Sequence, residues 1–288
     1  MNVSIAYLGP FGTYTEQAAL AYASWIAKST GQEAILCPYT SIAQTLRAVA
    51  QGKTELAVVP VENSIEGSVA MTLDTLWQLD TLRIKLALVL PISHTLLSRA
   101  QNKERIKTVY SHPQALAQCH GWLEQFLPSV ELIPTNSTSE ALQQLEQDWT
   151  AGAIASVRAA ELYNLPVLAS EINDYPDNCT RFWVLGQSQF QSSCHPSPSS
   201  GSHTSLAFSM PANVPGALVK PLQVLAQRGI NLSRIESRPT KRSLGEYLYF
   251  IDFEADATQA LVQSALDELT AYTEILKIFG SYNVLALN

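Results

Sequence analysis

Apolar residues in the first two-thirds of the chain fall in short runs that alternate with longer amphipathic segments. The runs lie at residues 3–8, 33–37, 55–60, 106–110, 130–134 and 152–156, and the amphipathic segments predict helices at 13–28, 42–50, 113–126 and 138–147. Short buried strands separated by helices of about 10–15 residues are typical of βαβ units with parallel strands. A longer apolar stretch at 84–92 divides this series into two sets. The pattern therefore predicts an α/β domain of two lobes, with a cleft that suits a small ligand.

The pattern changes after a segment rich in serine, proline and glutamine at residues 187–203. Such a composition, without periodic apolar positions, is typical of a linker. Beyond it the strand and helix patterns follow the order β-α-β-β-α-β, which is the split βαβ order of ferredoxin-like domains, with the first helix predicted over 216–228. We therefore predict a first domain at 1–187, a linker at 188–203 and a small second domain at 204–288.

Composition narrows the class of protein further. Of the 288 residues 47% are hydrophobic and 15% charged, which provides for a sizeable core. The net charge is −7, and neither half has an excess of lysine and arginine, which argues against a nucleic-acid or membrane surface. The N-terminus lacks the features of a signal peptide, and no apolar run approaches the roughly 20 residues of a membrane helix. We therefore expect a cytoplasmic protein.

Metal and nucleotide sites are not indicated. The five histidines and four cysteines show no metal-ligand spacing, and the glycine-containing turns do not match a phosphate-binding or dinucleotide fingerprint. We therefore predict neither a metal nor a cofactor.

The turn at residues 9–19, GPFGTYTEQAA, leads from the first strand into a helix. Thr13 and Glu16 are spaced as a capping box, which explains the motif as ordinary helix-start chemistry. The backbone N–H groups of the same helix start, with the hydroxyls of Thr13 and Thr15, also form a suitable site for a carboxylate. The sequence leaves both interpretations open.

A second polar group follows the strand at 55–60. Glu62, Asn63 and Ser64 stand at the strand end, where α/β sheets place their ligands. Turn and cap chemistry also explains an asparagine and a serine there. The succession of a carboxylate, an amide and a hydroxyl favours function.

Two later segments carry further candidates. SHPQALAQC at 111–119 starts a helix for which Ser111 is the expected N-cap. Gln114 and Gln118 are four residues apart and therefore lie on the same face of that helix. NCTRF at 178–182 leads into an aromatic strand. There Thr180 and Arg181, at the mouth of a cleft, would supply a donor and a fixed cation for an acidic substrate.

These segments, taken in order along the chain, resemble the prephenate dehydratases, and NVPGAL and ESRP in the second domain resemble an ACT domain. The resemblance implies a two-lobed catalytic domain like type II periplasmic binding proteins, with the active site in the cleft and no cofactor. It implies prephenate as substrate and L-phenylalanine as a feedback effector bound between ACT domains. It also implies a homodimer or homotetramer.

The matched motifs carry three groups of residues. The catalytic group is Thr180, Glu62, Asn63, Ser111 and Gln118. The substrate-binding group is Arg181, Thr13, Thr15, Ser64 and Phe182. The effector-binding group is Asn213, Val214, Pro215, Gly216, Ala217, Leu218, Glu236, Ser237 and Arg238.

The expected reaction is the loss of carbon dioxide and hydroxide from prephenate, which needs a proton donor and no metal. Thr180 is the favoured donor or relay, and Glu62 is the second candidate. Arogenate dehydratase and a non-catalytic amino-acid sensor remain as alternatives. Because no chorismate mutase segment precedes the catalytic motifs, we expect a monofunctional enzyme, and we expect a chain cut in the linker to keep turnover.

Overall fold

The computed structural model describes residues 2–137, 140–146, 148–188 and 201–287. Residues 189–200 of the predicted linker lie outside this part of the chain, so the linker remains a prediction.

Fifteen strands and eight α-helices are assigned within the described residues. The strands are β1 (Val3–Leu8), β2 (Ala34–Tyr39), β3 (Leu56–Asn63), β4 (Gly67–Ser68), β5 (Leu82–Pro91), β6 (Thr95–Ser98), β7 (Thr108–Ser111), β8 (Glu131–Pro134), β9 (Ala151–Ala155), β10 (Val167–Ala169), β11 (Cys179–Gln187), β12 (His203–Ser209), β13 (Leu232–Pro239), β14 (Tyr247–Phe253) and β15 (Ile275–Ala286). The helices are α1 (Tyr14–Thr30), α2 (Ile42–Ala50), α3 (Ala70–Gln78), α4 (Pro113–Gln118), α5 (His120–Phe126), α6 (Val157–Tyr163), α7 (Val219–Gln227) and α8 (Ala260–Thr270).

The first lobe is built on the strands β2-β1-β3-β11-β5. Strand β1 is parallel to β2 and β3, whereas β11 lies antiparallel between β3 and β5. Helix α1 packs on one face through Ala18, Tyr22 and Ile26, and α2 and α3 cover the other face. The predicted parallel order therefore holds for part of this sheet. Strand β11 runs against its neighbours because it returns from the second lobe.

The second lobe is a five-stranded sheet in the order β10-β6-β9-β7-β8. The chain enters it between β5 and β6 and leaves it between β10 and β11, so two segments cross between the lobes. These crossings are bonded to each other, since the backbone N–H of Ile92 donates to the carbonyl of Asn178 at 2.8 Å and that of Ile172 donates to the carbonyl of His94 at 3.1 Å. The predicted two-lobed architecture is confirmed.

Two helix predictions in this lobe need correction. The helix expected over 113–126 breaks at Cys119 into α4 and α5. The Asp174 carboxylate accepts hydrogen bonds from the N–H groups of Gly121 and Trp122, both at 2.9 Å, and so satisfies the first turn of a new helix. The helix expected over 138–147 is a 3₁₀ helix at Glu140–Glu146 in the part that the structure describes.

The C-terminal domain has the predicted β-α-β-β-α-β order. Its sheet is β13-β14-β12-β15, and one face is covered by α7 and α8. Helix α7 begins at Val219, three residues later than the pattern suggested, with Pro221 in its first turn. The other face packs on the first lobe, where Ala207, Phe250 and Phe279 share a buried core with Trp183 and Val61.

Strand β15 belongs to both domains. Its first part pairs with β12 of the C-terminal sheet, and residues 283–286 then pair in parallel with β5 of the first lobe. The two domains are therefore joined by one continuous sheet.

Candidate active site

A cleft of about 770 Å³ lies between the two lobes. Its described lining includes neither lysine nor arginine. The polar side chains on it are hydroxyls, amides, two histidines and one carboxylate: Thr13, Tyr14, Thr15, Thr40, Asn63, His94, His112, Gln114, Gln118, Asn136, Ser137, Glu140, Gln143, Tyr163 and Thr180.

Strands β3 and β11 place two of the predicted residues together at the cleft. Asn63 ends β3 and is paired in register with Thr180 of β11. Both residues are largely buried: the exposed fraction of the surface is 6% for Asn63 and 9% for Thr180. The Asn63 amide nitrogen donates to the Thr180 hydroxyl oxygen at 2.9 Å. Because that oxygen accepts, the hydroxyl proton of Thr180 is left to point elsewhere.

Gln118, which ends α4 in the second lobe, reaches the same cluster. The amide nitrogen of Asn178 donates to Gln118 Oε1 at 2.9 Å, and Asn63 Nδ2 donates to Asn178 Oδ1 at 2.8 Å. The cluster therefore connects both lobes through buried amides. A satisfied network of this kind is rigid, because each unmade bond would leave a desolvated polar group.

Three of the predicted substrate-binding residues also line the cleft. Thr13 caps α1, and its hydroxyl donates to the carbonyl of Pro10 at 3.0 Å. One half of the predicted capping box is present, since Thr13 Oγ1 accepts from the Glu16 N–H, whereas the Glu16 carboxylate accepts from the Gly12 N–H, one residue before the cap, at 2.6 Å. Thr15 and Phe182 are buried beside it and face the same space.

Glu62 and Arg181 do not join this group. Successive side chains of a strand point to opposite faces, so Arg181, between Thr180 and Phe182, lies on the far side of the sheet. There its guanidinium is 3.6 Å from the Glu62 carboxylate and 3.4 Å from Asp252 of the C-terminal domain. The expectation that Arg181 and Glu62 serve in the cleft therefore conflicts with their placement.

Ser111 and Ser64 lie beside the cleft without lining it. Ser111 is fully buried, and its hydroxyl donates to the carbonyl of Ile154 at 2.7 Å, which ties β7 to β9. His112, not Ser111, is the N-cap of α4. The Ser64 hydroxyl accepts from the Cys179 N–H at 3.0 Å and donates to Asn178 Oδ1 at 3.3 Å. Ser64 therefore supports Asn178 of the cluster, whereas Ser111 joins two strands of the second lobe.

His94, Asn178 and Tyr14 also belong to the site, although they are not among its predicted residues. His94 is 3% exposed, and its ring lies between the Tyr14 hydroxyl, 2.9 Å from Nδ1, and Gln118 Oε1, 3.0 Å from Nε2. A lone histidine just after the apolar stretch at 84–92 is the signal that could have indicated it, since a buried polar side chain needs partners.

Burial dominates the electrostatics of these groups. It lowers the pKa of His94, with the hydrogen bond to Gln118 opposing part of the effect. Burial also lowers the pKa of His112, against the attraction of Glu66, and raises the pKa of Tyr14 well above its ordinary value, with Cys119 adding to the rise. Burial therefore favours the neutral forms of His94, His112 and Tyr14 in the cleft. Across the described chain, no cluster of three or more histidine, cysteine or acidic side chains has the arrangement of a metal site.

Comparison with known families agrees with this geometry. The family model described as prephenate dehydratase matches residues 5–190, and the model described as ACT domain matches residues 204–271. The chain belongs to the prephenate dehydratase family. None of the described helices is long and apolar enough to cross a membrane.

Curated relatives and a solved structure cover almost the whole chain. A prephenate dehydratase of Lactococcus lactis subsp. cremoris is 36% identical over 288 residues, covering 99% of each chain. A bifunctional chorismate mutase/prephenate dehydratase of Aquifex aeolicus is 41% identical over 281 residues, covering 98% of this chain and 74% of that protein. The crystal structure of a prephenate dehydratase from Arthrobacter aurescens in complex with L-Phe superposes with a TM-score of 0.84 at 34% identity, covering 98% and 90% of the two chains.

The ACT domain of this prephenate dehydratase family member has a cavity of its own, of about 450 Å³. Five of the nine predicted effector residues line it: Asn213, Val214, Gly216, Ala217 and Leu218. Pro215 lies within the same loop. Asn213 ties that loop to the β13–β14 hairpin, donating to the carbonyl of Gly245 at 3.0 Å.

The ESRP part of the predicted effector set lies elsewhere, on β13. Strand β13 is the edge of the ACT sheet, and Glu236, Ser237 and Arg238 do not line the described cavity. The Arg238 guanidinium instead binds the Asp74 carboxylate of α3 in two hydrogen bonds, at 3.0 and 3.2 Å. Within one chain, the two motifs are therefore not brought together.

Proposed function

We propose that this chain catalyses the decarboxylating dehydration of prephenate to phenylpyruvate, with Thr180 as the group that serves the leaving hydroxyl. The observation that carries the proposal is the bond from Asn63 to Thr180. It occupies the Thr180 oxygen as an acceptor and leaves the hydroxyl proton for the cleft, in a chain that belongs to the prephenate dehydratase family.

The reaction needs few groups. The bond from the ring carbon to its carboxylate breaks and releases carbon dioxide, the electron pair moves into the ring, and the ring hydroxyl leaves as water after taking one proton. Because an aromatic ring forms, the step is strongly downhill. The Thr180 hydroxyl donates to the departing oxygen and relays the proton, and such assistance is worth about 10²–10⁴-fold in rate.

The cleft favours a dianion without a fixed cation in its described lining. Helix α1 starts at the cleft with Thr13 as its cap, and the free N–H groups of a helix start attract a carboxylate. The hydroxyls and amides around it add neutral donors that are already ordered by their own network. Arg181 and Glu62, by contrast, are best explained as the attachment of the catalytic sheet to the ACT domain.

The proposal is tested by measuring phenylpyruvate release from prephenate by the purified chain, with formation of phenylalanine from arogenate in parallel. Prephenate turnover supports the proposal. Turnover of arogenate alone would make the protein an arogenate dehydratase. Binding of phenylalanine without turnover of either compound would favour the non-catalytic sensor.

We further propose L-phenylalanine as an inhibitor that binds at the loop of residues 213–218, as part of a homodimer or homotetramer in the cytoplasm. The Arthrobacter relative is in complex with L-Phe. Two features of the ACT sheet support an assembly. The outer edge of β13 pairs with no other described strand, and Ile235 on it is 44% exposed. An open strand edge of this kind is a template for a second copy, which would bring another ESRP segment to the cavity.

The regulatory proposal is tested by adding phenylalanine to the turnover assay and measuring molar mass by light scattering. Asn213→Ala removes the bond that holds the effector loop, and we expect it to weaken inhibition while turnover without effector is kept. Inhibition equal to that of the parent chain would contradict this placement of the effector.

A further inference from the structure

The hydrogen bonds around Asn63 have one allowed direction. The backbone N–H groups of Ile65 and Glu66 both donate to Asn63 Oδ1, at 3.1 Å each. A backbone N–H can only donate, so this end of the amide must be the oxygen. Asn63 Nδ2 is therefore the donor toward Asn178 Oδ1 at 2.8 Å and toward the Thr180 hydroxyl at 2.9 Å.

The orientation of the Asn63 amide determines the orientation of Asn178 and, through it, of Gln118 in the second lobe. Since Asn178 Oδ1 accepts, the other end of that amide is the nitrogen, and it donates to Gln118 Oε1 at 2.9 Å. Gln118 Oε1 is then an acceptor as well. The His94 Nε2 atom, 3.0 Å from the same oxygen, must carry a proton to make a bond there.

The other side of the His94 ring faces the Tyr14 hydroxyl. The Tyr14 hydroxyl lies 2.9 Å from Nδ1 and 2.7 Å from the carbonyl of Ser93, and the two rings meet edge to face. Burial favours the neutral ring. A neutral imidazole with its proton on Nε2 has a bare Nδ1, which competes with the Ser93 carbonyl for the single proton of the Tyr14 hydroxyl, so the proton of the ring is assigned from the Nε2 side.

His94 is also fixed by its backbone at the place where the chain crosses between the lobes. Its N–H donates to Asn173 Oδ1 at 2.6 Å, and its carbonyl accepts from the Ile172 N–H at 3.1 Å. The backbone of His94 is therefore held by the other crossing segment, and its ring by Tyr14 of α1 and Gln118 of α4. Small displacements of reacting groups are costly in rate, so an anchor at this point bears on catalysis.

We propose that His94 is a positioning residue for the reaction, which acts by presenting its Nε2–H group to Gln118 Oε1. Two donors, His94 and Asn178, then hold this oxygen away from the cleft. The amide nitrogen of Gln118 is turned toward Asn63 Oδ1 and Glu66 Oε1, both 3.5 Å away, and because these hydrogen bonds are long, a bound substrate can replace them as the acceptor. The inference rests on the proposed function for its effect on rate, and on the hydrogen-bond geometry alone for the position of the proton.

Two isosteric substitutions test the donor at Nε2. The amide nitrogen of glutamine can occupy the position of Nε2, whereas asparagine reaches only the position of Nδ1. We expect His94→Asn to lower kcat by about ten- to a hundredfold with a smaller change in KM, and His94→Gln to recover most of that loss. Thermal unfolding of both variants identifies any loss that comes from a damaged fold.

The position of the proton is measured without substrate, from the ¹⁵N resonances of the His94 ring in the full chain. Protonated Nε2 with bare Nδ1 is the expected result, and a proton on Nδ1 alone would overturn the inference. Equal turnover by the two variants, whether high or low, would also overturn it. If the parent chain fails to convert prephenate, the proposed function fails, while the ¹⁵N measurement still decides the direction of the network.

Discussion

The two faces of strands β3 and β11 differ in chemistry although they share a backbone. Asn63, Thr180 and Phe182 face the cleft, where the described lining has no lysine or arginine. On the opposite face, Glu62 and Arg181 form ion pairs that continue to Asp252 of the ACT domain. Neighbours in one short motif therefore serve two different surfaces.

The difference shows how the ACT domain contacts the strands of the site without entering the cleft. Asp252 is buried and binds Arg234 at 2.7 Å, and the Arg234 guanidinium lies over the ring of Trp183 at 5.6 Å. Arg234 also donates to Ser68 Oγ at 3.2 Å. A change in the ACT sheet can therefore act on the back of β11, one residue away from Thr180.

The largest effect is expected from a substitution on the cleft face. Thr180→Ala removes the hydroxyl and should lower kcat by about 10²–10⁴-fold with little change in KM, while Thr180→Ser should keep much of the activity. Steady-state kinetics on prephenate measures both. A near-normal kcat for Thr180→Ala would remove Thr180 from the reaction.

Glu62→Gln is the matched control from the opposite face of the neighbouring strand. Because the Glu62 carboxylate contacts Arg181 and not the cleft, we expect kcat to stay within a few-fold of the parent value. A loss as large as that of Thr180→Ala would return Glu62 to the position of proton donor.

The second effect concerns stability. Asp252→Asn leaves the Arg234 guanidinium, whose side chain is 6% exposed, without its anion. Breaking a buried pair on one side costs about 3–5 kcal/mol of the free energy of unfolding, which denaturant titration measures. The comparison variant Arg181→Met should cost less, because the Arg181 side chain is 26% exposed. Equal losses would contradict the larger contribution assigned to the buried pair of Arg234 and Asp252.

A smaller, pH-dependent effect is expected at Asp74, where α3 meets β13. Burial raises the pKa of this carboxyl. The hydrogen bonds from Arg238 and Lys241, together with their positive charges, lower the pKa by more than burial raises it, so the pKa in the folded chain lies below its ordinary value. The pair therefore stabilises the fold above the unfolded-state pKa and is lost as pH falls through the folded-state pKa.

Asp74→Asn tests this link by denaturant titration at several pH values. It should cost about 1 kcal/mol near pH 7, and the difference from the parent chain should shrink in acid. A difference that is independent of pH would contradict the ionic origin of the contact.

The sequence was sufficient to predict the architecture, because strand and helix patterns are local. It predicted that Asn63, Gln118 and Thr180 belong to one site, and the structure brings these side chains together. Assigning Arg181 and Glu62 to the cleft conflicts with the structure, because a motif lists neighbours in sequence, whereas a strand sends them to opposite faces.

The roles of His94 and Asn178 could not be predicted from local sequence patterns. Each lies on a segment that crosses between the lobes, so their partners are 24 to 115 residues away in sequence.

The expectation that a chain cut in the linker keeps turnover also needs revision. Residues 283–286 of β15 form part of the catalytic sheet, and their loss would leave β5 with an unpaired edge.

Strand β15 also sets the order in which the molecule can be completed during synthesis. Its partner β5 leaves the ribosome roughly 200 residues earlier. After β11 has paired with one edge of β5, the other edge stays unpaired until β15 is synthesised. An exposed apolar edge can pair with other nascent chains, so the sheet is prone to aggregation during this interval. The same strand completes the ACT sheet and the catalytic sheet. A chain whose synthesis stops before β15 therefore has neither sheet complete, so catalysis and regulation become possible at the same stage of synthesis.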